Sequence, residues 1–599
     1  MLFLVSGGGC RKSASEAGNA QSQFTNQPST INHQPSTTTL ARLHWLGTQR
    51  LARETNAAYF MSVWNLPESE QLVAQTLDKL ALALAGERPA VVVSNQALVT
   101  SNRVSASGSP SRITNKLSTI NYHLSPANQP LASKLRPLLE DLVQAESCFE
   151  LRQATKQPRE LALAIRLDDQ RAELWTSNLT AVLGSMTNVQ SLPAPAGRYA
   201  WRLPLAPRSS SLLPSTPSVP PQPSRFDLAR ASDWILLGVA AETNGLLAEW
   251  SQRIRAEHAP VSGIGSRAAT NYWLDAAVDL GRLAGALKPG QAGLPKLAAT
   301  VIGVGGEVRM AGELKFPKPL PFEETAWTIP TNLVYQRLIS FTAIRGFQPW
   351  LASQKLWKDL GLGAAPNQVF FWAREGLPFL SYCAVPFPGA SDCVARLTER
   401  LLTEGNAWMT TNGMGRFLRS EQTNGVVLSM PFMEPYLEPV TVGGGDFVLG
   451  GLLHQGPGTN SLAPLMLFQE ITRRTNLVAY DWELTGPRLD TWLHIGQLIR
   501  LISFRDRLRP ESASAKWFKE AAPRLGNCAT AVTRTAPDEL SFVRRSAIGF
   551  TSIELHLLAD WLESPNFPHG FYSRAVHRVA PPARNRSGTN SVPMLPARQ

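Results

Sequence analysis

The stretch "CFELRQATKQPRELALAIRLDDQRAELWTSNLTAVL" (residues 148–183) decides how the rest of the chain is read. Apolar residues alternate with polar ones through Phe149, Leu151, Leu161 and Ile165, the period-2 signature of half-buried strands, and a polar turn separates the two runs. From Asp168 the spacing becomes helical. Asp168 and Asp169 stand where a carboxylate accepts the unpaired amide protons of a first helical turn. The order is strand, turn, strand, helix. A second stretch, "VFFWAREGLPFLSYCAVPFPGASDCVARLTERLLTE" (residues 369–404), repeats that order. Gly376 and Pro378 punctuate its hairpin, Ser391 or Asp392 can start its helix, and Val394, Leu397, Leu401 and Leu402 form one apolar stripe.

Further pieces correspond in the same order. "WRLPLAP" (201–207) matches "LSMPFMEP" (428–435), "SDWILLGVA" (232–240) matches "GDFVLGGLL" (445–453), and "NYWLDAAVDL" (271–280) matches "NLVAYDWEL" (476–484). Pro204 and Asp233 are 29 positions apart, Pro431 and Asp446 only 15, and the excess falls in a Pro/Ser-rich stretch, residues 207–224, of the kind that makes an extended surface loop. The expected fold is α+β, with two duplicated halves whose mostly antiparallel sheets are packed by helices. Residues 40–330 make the first half and 331–564 the second, joined through "AWTIPTNLVYQRLISFTAIRGFQPWL". A disordered tether, 1–39, precedes them and a disordered basic tail, 565–599, follows.

Low-complexity sequence interrupts the first half. "TNQPSTINHQPS" in the tether returns as "TNKLSTINYHLS" at 114–125 with seven of twelve positions identical. Neither copy has an apolar side to stack, so these are inserted polar words rather than units of a repeat fold. The second lies in an insert spanning about 101–133. Before it, Asn65 to Ala85 reads as a helix with Asn65 and Glu68 in a capping box and Leu72, Leu77, Leu80 and Leu84 on one face. At the far end a strand, "DELSFVRRSAIGFT", leads into a closing helix in which Ile553, Leu557 and Trp561 are spaced to bury one side.

The chain opens "MLFLVSGGGCRK", a short apolar run, small residues and then Cys10. This has the layout of a lipoprotein signal lacking its basic start and the front of its apolar core, as a late start codon would give. Residues 11–39 are Ser/Thr/Asn/Gln-rich and cannot bury enough surface to offset their ordering entropy. On these residues the layout from about 40 to 560 resembles uncharacterised bacterial envelope proteins built from tandem α+β units behind a lipoprotein-type N-terminus. The resemblance implies a fold and a location, periplasmic or membrane-anchored through a lipid on Cys10, with the cytoplasm as the alternative. It carries no catalytic motif.

Composition sets wider bounds. With 599 residues, 43% hydrophobic and 17% charged, the chain is globular and long enough for several cores. No run reaches the ~18 apolar residues of a membrane-spanning helix. Cys148, Cys383, Cys393 and Cys528 show no CxxC, which speaks against a zinc ribbon or a thioredoxin-type site and leaves their pairing open. The net charge of +12 is dispersed except in the tail. A tail without interleaved aromatics is a solvated end, so nucleic acid is not an expected partner.

The sequence carries no cofactor or metal motif. "VIGVGGEVRMAG" has Val308 where a dinucleotide loop needs glycine. "VGGGDFVLGG" has Gly451 where a phosphate loop needs lysine. Both read as tight hairpins. G-x-S-x-G, H-E-x-x-H and S-x-x-K are absent. Asp490 and His494, four apart, are the one acid/base pair that a helix would bring together, although no nucleophile or third ligand can be named with them. His556 reads as a partly buried histidine. Most tryptophans, among them Trp45, Trp64, Trp175, Trp201, Trp234, Trp273, Trp372 and Trp482, sit in apolar segments that fit core packing. The expected function is therefore non-catalytic: an extracytoplasmic protein that binds or scaffolds a protein, peptide or glycan. A hydrolase with a non-motif site in the cleft between the halves is the alternative.

Overall fold

The computed structural model of the chain describes residues 37–85 and 129–568, apart from 155–158, 187–188, 196, 204–223, 243, 258–271, 288–292, 378, 413–414, 422, 430–433, 455–460, 503–511 and 565. The tether up to residue 36, Cys10, most of the insert and of the Pro/Ser loop, and the tail from 569 lie outside the described residues.

Among the described residues, ten strands belong to the first half: β1 (Thr37–Trp45), β2 (Ser147–Ala154), β3 (Arg159–Arg166), β4 (Gln190–Leu192), β5 (Arg198–Leu203), β6 (Ser224–Ala231), β7 (Trp234–Ala240), β8 (Leu274–Asp279), β9 (Lys296–Val304) and β10 (Glu307–Lys315). Ten more follow: β11 (Leu338–Arg345), β12 (Gln368–Arg374), β13 (Ser381–Pro386), β14 (Arg416–Arg419), β15 (Val426–Ser429), β16 (Tyr436–Val442), β17 (Gly445–Gly451), β18 (Leu477–Leu484), β19 (Asn527–Ala536) and β20 (Glu539–Ser546). All pairings are antiparallel. The first half runs β4-β5-β6-β7-β3-β2-β1-β8-β9-β10 across the sheet. The second runs β14-β15-β16-β17-β13-β12-β11-β18-β19-β20. Raising each first-half number by ten gives the second order, so the duplication holds strand by strand.

The halves meet as one sheet, through a ladder between β10 and β20. Ala311, fifth residue of β10, faces Val543, fifth residue of β20. Equivalent residues therefore oppose each other, and a local two-fold axis runs through that pair. Gly312 closes the ladder on one side. A Cβ there would lie 2.4 Å from the Ala298 carbonyl oxygen and 2.6 Å from the Phe542 ring, so the aromatic ring lies across a strand position that only glycine can fill.

The helices are α1 (Thr48–Leu51), α2 (Ala58–Trp64), α3 (Pro67–Leu84), α4 (Gln129–Gln144), α5 (Asp169–Ser185), α6 (Gly245–Glu257), α7 (Leu280–Leu287), α8 (Gln348–Ser353), α9 (Lys355–Leu360), α10 (Ala390–Arg400), α11 (Asn406–Asn412), α12 (Met466–Thr472), α13 (Thr485–Ile502), α14 (Ala513–Ala521) and α15 (Ser552–Leu562). On the back face, which carries Gly312 and Phe542, α4 and α5 cover Ile165, Leu228 and Ile235, and α10 covers Val448. Near the centre of the same face α2, α13, α14 and α15 build a shared core of Val63, Leu489, Phe518 and Leu555. On the front face, which carries Ala311 and Val543, α6 lays Leu246, Trp250 and Ile254 over Ala162, Ala164, Ala229 and Ala231. Small residues on the strands make room for the large ones on the helix, as close packing requires. In the second half α12 sets Phe468 and Ile471 against Phe341, Phe370 and Trp372.

Several local readings hold. Asp168 caps α5 by accepting from the Arg171 amide at 2.8 Å. Gly305 and Gly306, and again Gly443 and Gly444, take positive φ in two-residue hairpin turns, the geometry that matches strand twist. Trp175, Trp201, Trp234, Trp273 and Trp372 are buried, while Trp45, Trp64 and Trp482 pack at core margins.

Other readings need correction. The sheet begins at Thr37, inside the stretch assigned to the tether. The insert ends earlier than expected, because α4 starts at Gln129. The joining segment contains β11, a central strand equivalent to β1. The helix expected from Asn65 starts at Pro67 after Leu66 with no side-chain cap, and Asn65 instead ends α2. Proline has a preset φ and no amide proton to satisfy, so it makes the better first residue. Gly389, rather than Ser391 or Asp392, precedes α10. The buried side of α15 is Leu555, His556 and Ala559, and Leu557 is exposed. That helix is wedged between α13 and the sheet, and this contact selects a face that its hydrophobicity alone does not.

Candidate functional site

The alternation of the central strands decides which side chains reach the front face. One row across the sheet reads His44, Asp275, Thr300, Ala311, Val543, Ala531, Tyr480, on β1, β8, β9, β10, β20, β19 and β18 in turn. The next row reads Ile302, Arg309, Arg545, Ala529, Trp482. A third reads Ala298, Glu313, Ser541, Thr533, and the hydroxyls of Thr533 and Ser541 lie 2.8 Å apart, which confirms their shared side. Among the described residues, the flanking helices on this side are α6 and α12, seated on the outer strands. Six strands, β1, β8, β9, β10, β20 and β19, lie between Cys148 in the α6 cluster and Leu477 in the α12 cluster, a floor about 29 Å wide at ~4.8 Å per strand that no described helix covers. The floor is rich in Ala, Thr and Ser. Most of its side chains are half-buried, and Glu313 and Arg545 are exposed. On the back of β10 Val308 packs with Met61 and Trp273, whereas Leu43 on the back of β1 is exposed.

Arg309 and Arg545 face each other directly across the β10–β20 ladder. Neither makes an ion pair or a hydrogen bond with any described residue. Their neighbour Arg544 points to the back and behaves differently. It donates to both Glu554 oxygens at 2.6 and 3.0 Å and to the Thr530 hydroxyl at 2.9 Å.

At the first-half end of the floor, His44 lies between Cys148 and Asp275 on adjoining strands. Its Nε2 is 3.0 Å from Glu146 Oε1, and Glu146 also accepts from Arg50 at 2.7 Å and Arg166 at 3.3 Å. Burial alone would raise the Glu146 carboxyl, but the His44 hydrogen bond and the Arg50 charge outweigh it and hold it at about 2. The order Cys, His, carboxylate invites a nucleophilic reading. Burial pushes the Cys148 thiol far above its ordinary range, and Glu146 adds to that, so the sulfur stays protonated and unreactive. Asp275 is buried, its carboxyl raised by burial, and its Oδ2 has no hydrogen-bond partner.

The second half holds a denser charge cluster on the back face, beneath α13 and α15. Asp481 accepts from the Thr342 hydroxyl at 2.6 Å. Glu483 accepts from the Ser552 amide and hydroxyl, both at 2.6 Å. Burial raises both carboxyls, Glu483 to about 7. Arg488 lies close enough to both for their charges to offset part of its own burial. Helices cover this cluster, and through Ser552 it ties the start of α15 to β18.

Asp490 and His494 do lie together on α13, exposed, but His494 Nδ1 is 2.7 Å from the Asp490 carbonyl oxygen. The backbone, rather than the carboxylate, orients the ring, and among the described residues no third His, Cys, Asp or Glu joins them to hold a metal ion. His556 is buried where α15 crosses α13, its ring against Gly496. Among the described residues no three His, Cys, Asp or Glu side chains are placed to hold a metal ion. Cys148, Cys383, Cys393 and Cys528 are free thiols. No helix among the described residues is long and apolar enough to cross a membrane.

Arg309 and Arg545 escaped the sequence reading. "EVRMAGELK" and "ELSFVRRS" show which side each arginine takes, but nothing in either says that the two strands adjoin. Comparison of the chain with protein-family models, with characterised proteins and with solved structures gave no match, so the face is read from its own chemistry.

Proposed function

We propose that this is a non-catalytic binding or scaffold protein of the bacterial envelope, held near a membrane through a lipid on Cys10, and that the front face of its central strands is the ligand platform. One observation carries the reading: a continuous, half-buried floor of small side chains, with charged and aromatic groups among them, is left by the described helices between α6 and α12, while packed helices sit on the back of the central strands β10, β20, β19 and β18. Small residues on strands that no described helix covers offer a partner close approach to the backbone. The charged groups within and beside it supply orientation. Because the halves share a ladder, the platform crosses their junction and belongs to both.

The location is tested by mass spectrometry of the mature N-terminus after membrane fractionation. The expected species begins at a diacylated Cys10, and an unmodified soluble chain starting at Met1 defeats the anchor. The platform is tested with Ala298→Cys in a Cys10→Ser full-length chain, labelled with an environment-sensitive fluorophore and titrated with a panel of peptides and glycans. A saturable spectral change without turnover supports the proposal. Consumption of the ligand defeats its non-catalytic part, and no response to any member of the panel defeats the platform.

A further inference from the structure

We propose that Arg309 and Arg545 form a binding site for a dianionic oxyanion of the phosphate-monoester class at the centre of the front face. The inference rests on the platform reading and names the group that the platform takes. Its basis is the β10–β20 register, which sets two guanidinium-bearing residues directly opposite each other. Like charges so placed disfavour the sheet, and no described carboxylate forms an ion pair with either guanidinium. On the same face of β10, Glu307 stands two residues before Arg309, about 7 Å along the strand, and makes no ion pair with it, while Glu313 is four residues away, about 13 Å and beyond a Debye length at physiological salt. Arg544 shows that this same strand can satisfy an arginine fully when its partner is internal.

The chemistry of the ligand follows from the count of charges. Two unpaired guanidinium groups need about two negative charges. A phosphate monoester carries roughly −1.5 to −2 at neutral pH and presents three acceptor oxygens, enough for forked donors from both sides. A carboxylate would leave one guanidinium unmatched. The flanking residues on the row, Ile302 and Ala529, bring no competing charge.

The test uses the full-length protein in a phosphate-free buffer of low ionic strength, with calorimetric titration and thermal unfolding as readouts. Inorganic phosphate is the probe, and acetate at matched ionic strength is the control. Phosphate is expected to saturate one site and to raise Tm, with acetate at least tenfold weaker. Arg309→Gln and Arg545→Gln should each weaken phosphate binding at least tenfold. Without phosphate each should leave Tm unchanged or raise it, because a like-charge opposition has been removed; an arginine with a merely structural role would lower it. Arg337→Gln, an exposed arginine beside Glu375, should bind phosphate as the parent does. Equal binding of phosphate and acetate, parent-like binding by both Gln variants, or a lowered phosphate-free Tm in either overturns the proposal. If the fluorophore on Ala298→Cys still reports a peptide or glycan, only the oxyanion site has failed. If it too is silent, the platform has failed with it.

Discussion

Replacing Glu483 by glutamine should stabilise the protein at alkaline pH and do little at acid pH. Glu483 sits on β18 with its carboxyl against the Ser552 amide and hydroxyl at the start of α15. Burial raises this group from the ordinary 4.5 to about 7, opposed by the Ser552 hydrogen bond and reinforced by the charge of Asp481. The folded protein therefore holds the proton more tightly than the unfolded chain does. Stability from this group is full below pH 4.5, falls as pH rises toward 7, and is flat above. The difference corresponds to about 3 kcal/mol at pH 8. Glutamine has the same shape and its carbonyl can accept from the Ser552 amide, while its NH2 can donate to the Ser552 hydroxyl. It never ionises. Urea unfolding of parent and variant at pH 5 and pH 8, followed together with hydrogen exchange in α15, should show the variant ahead by about 1–3 kcal/mol at pH 8 and within ~0.5 kcal/mol at pH 5. A variant that loses as much stability at pH 8 as at pH 5 would refute the reasoning, because the charged carboxylate would then be an asset in its site.

Three further outcomes follow from the geometry. Glu146→Gln should cost about 1–2 kcal/mol at pH 7 and almost nothing near pH 2, because the depressed carboxyl stabilises the fold above its ordinary 4.5 and loses that contribution as pH falls toward about 2; chemical unfolding across that range checks it, with half-exposed Arg50 as the reason for the discount. Gly312→Val should lower stability by about 3 kcal/mol or more, since its side chain would enter the Ala298 carbonyl and the Phe542 ring, and limited proteolysis should then cut between the halves. Asp168→Ala should cost about 1 kcal/mol by leaving the first turn of α5 uncapped, readable as a fall in Tm.

The amino-acid sequence alone determined the features that depend on near neighbours. Alternation marked β2, β3, β12, β13, β7 and β17, because a strand shows its buried side every second residue. Asp168 capped its helix and the paired glycines turned their hairpins, because those choices are made within a few residues. The duplication was legible for the same reason: blocks of similar pattern recur in order, and the strand ladders repeat that order. Tertiary structure decided everything that joins distant segments. Leu557 was expected inside and lies outside, since packing against α13 and the sheet, rather than the helix's own pattern, chose the buried side. The meeting of β10 with β20, the opposition of Arg309 and Arg545, and the burial of Glu483 under Ser552 all link residues far apart in the chain. A short polar or charged word carries no trace of its eventual cross-strand partner. Which strand edges meet is settled only when the whole sheet has its register and its helices have covered the remaining apolar surface.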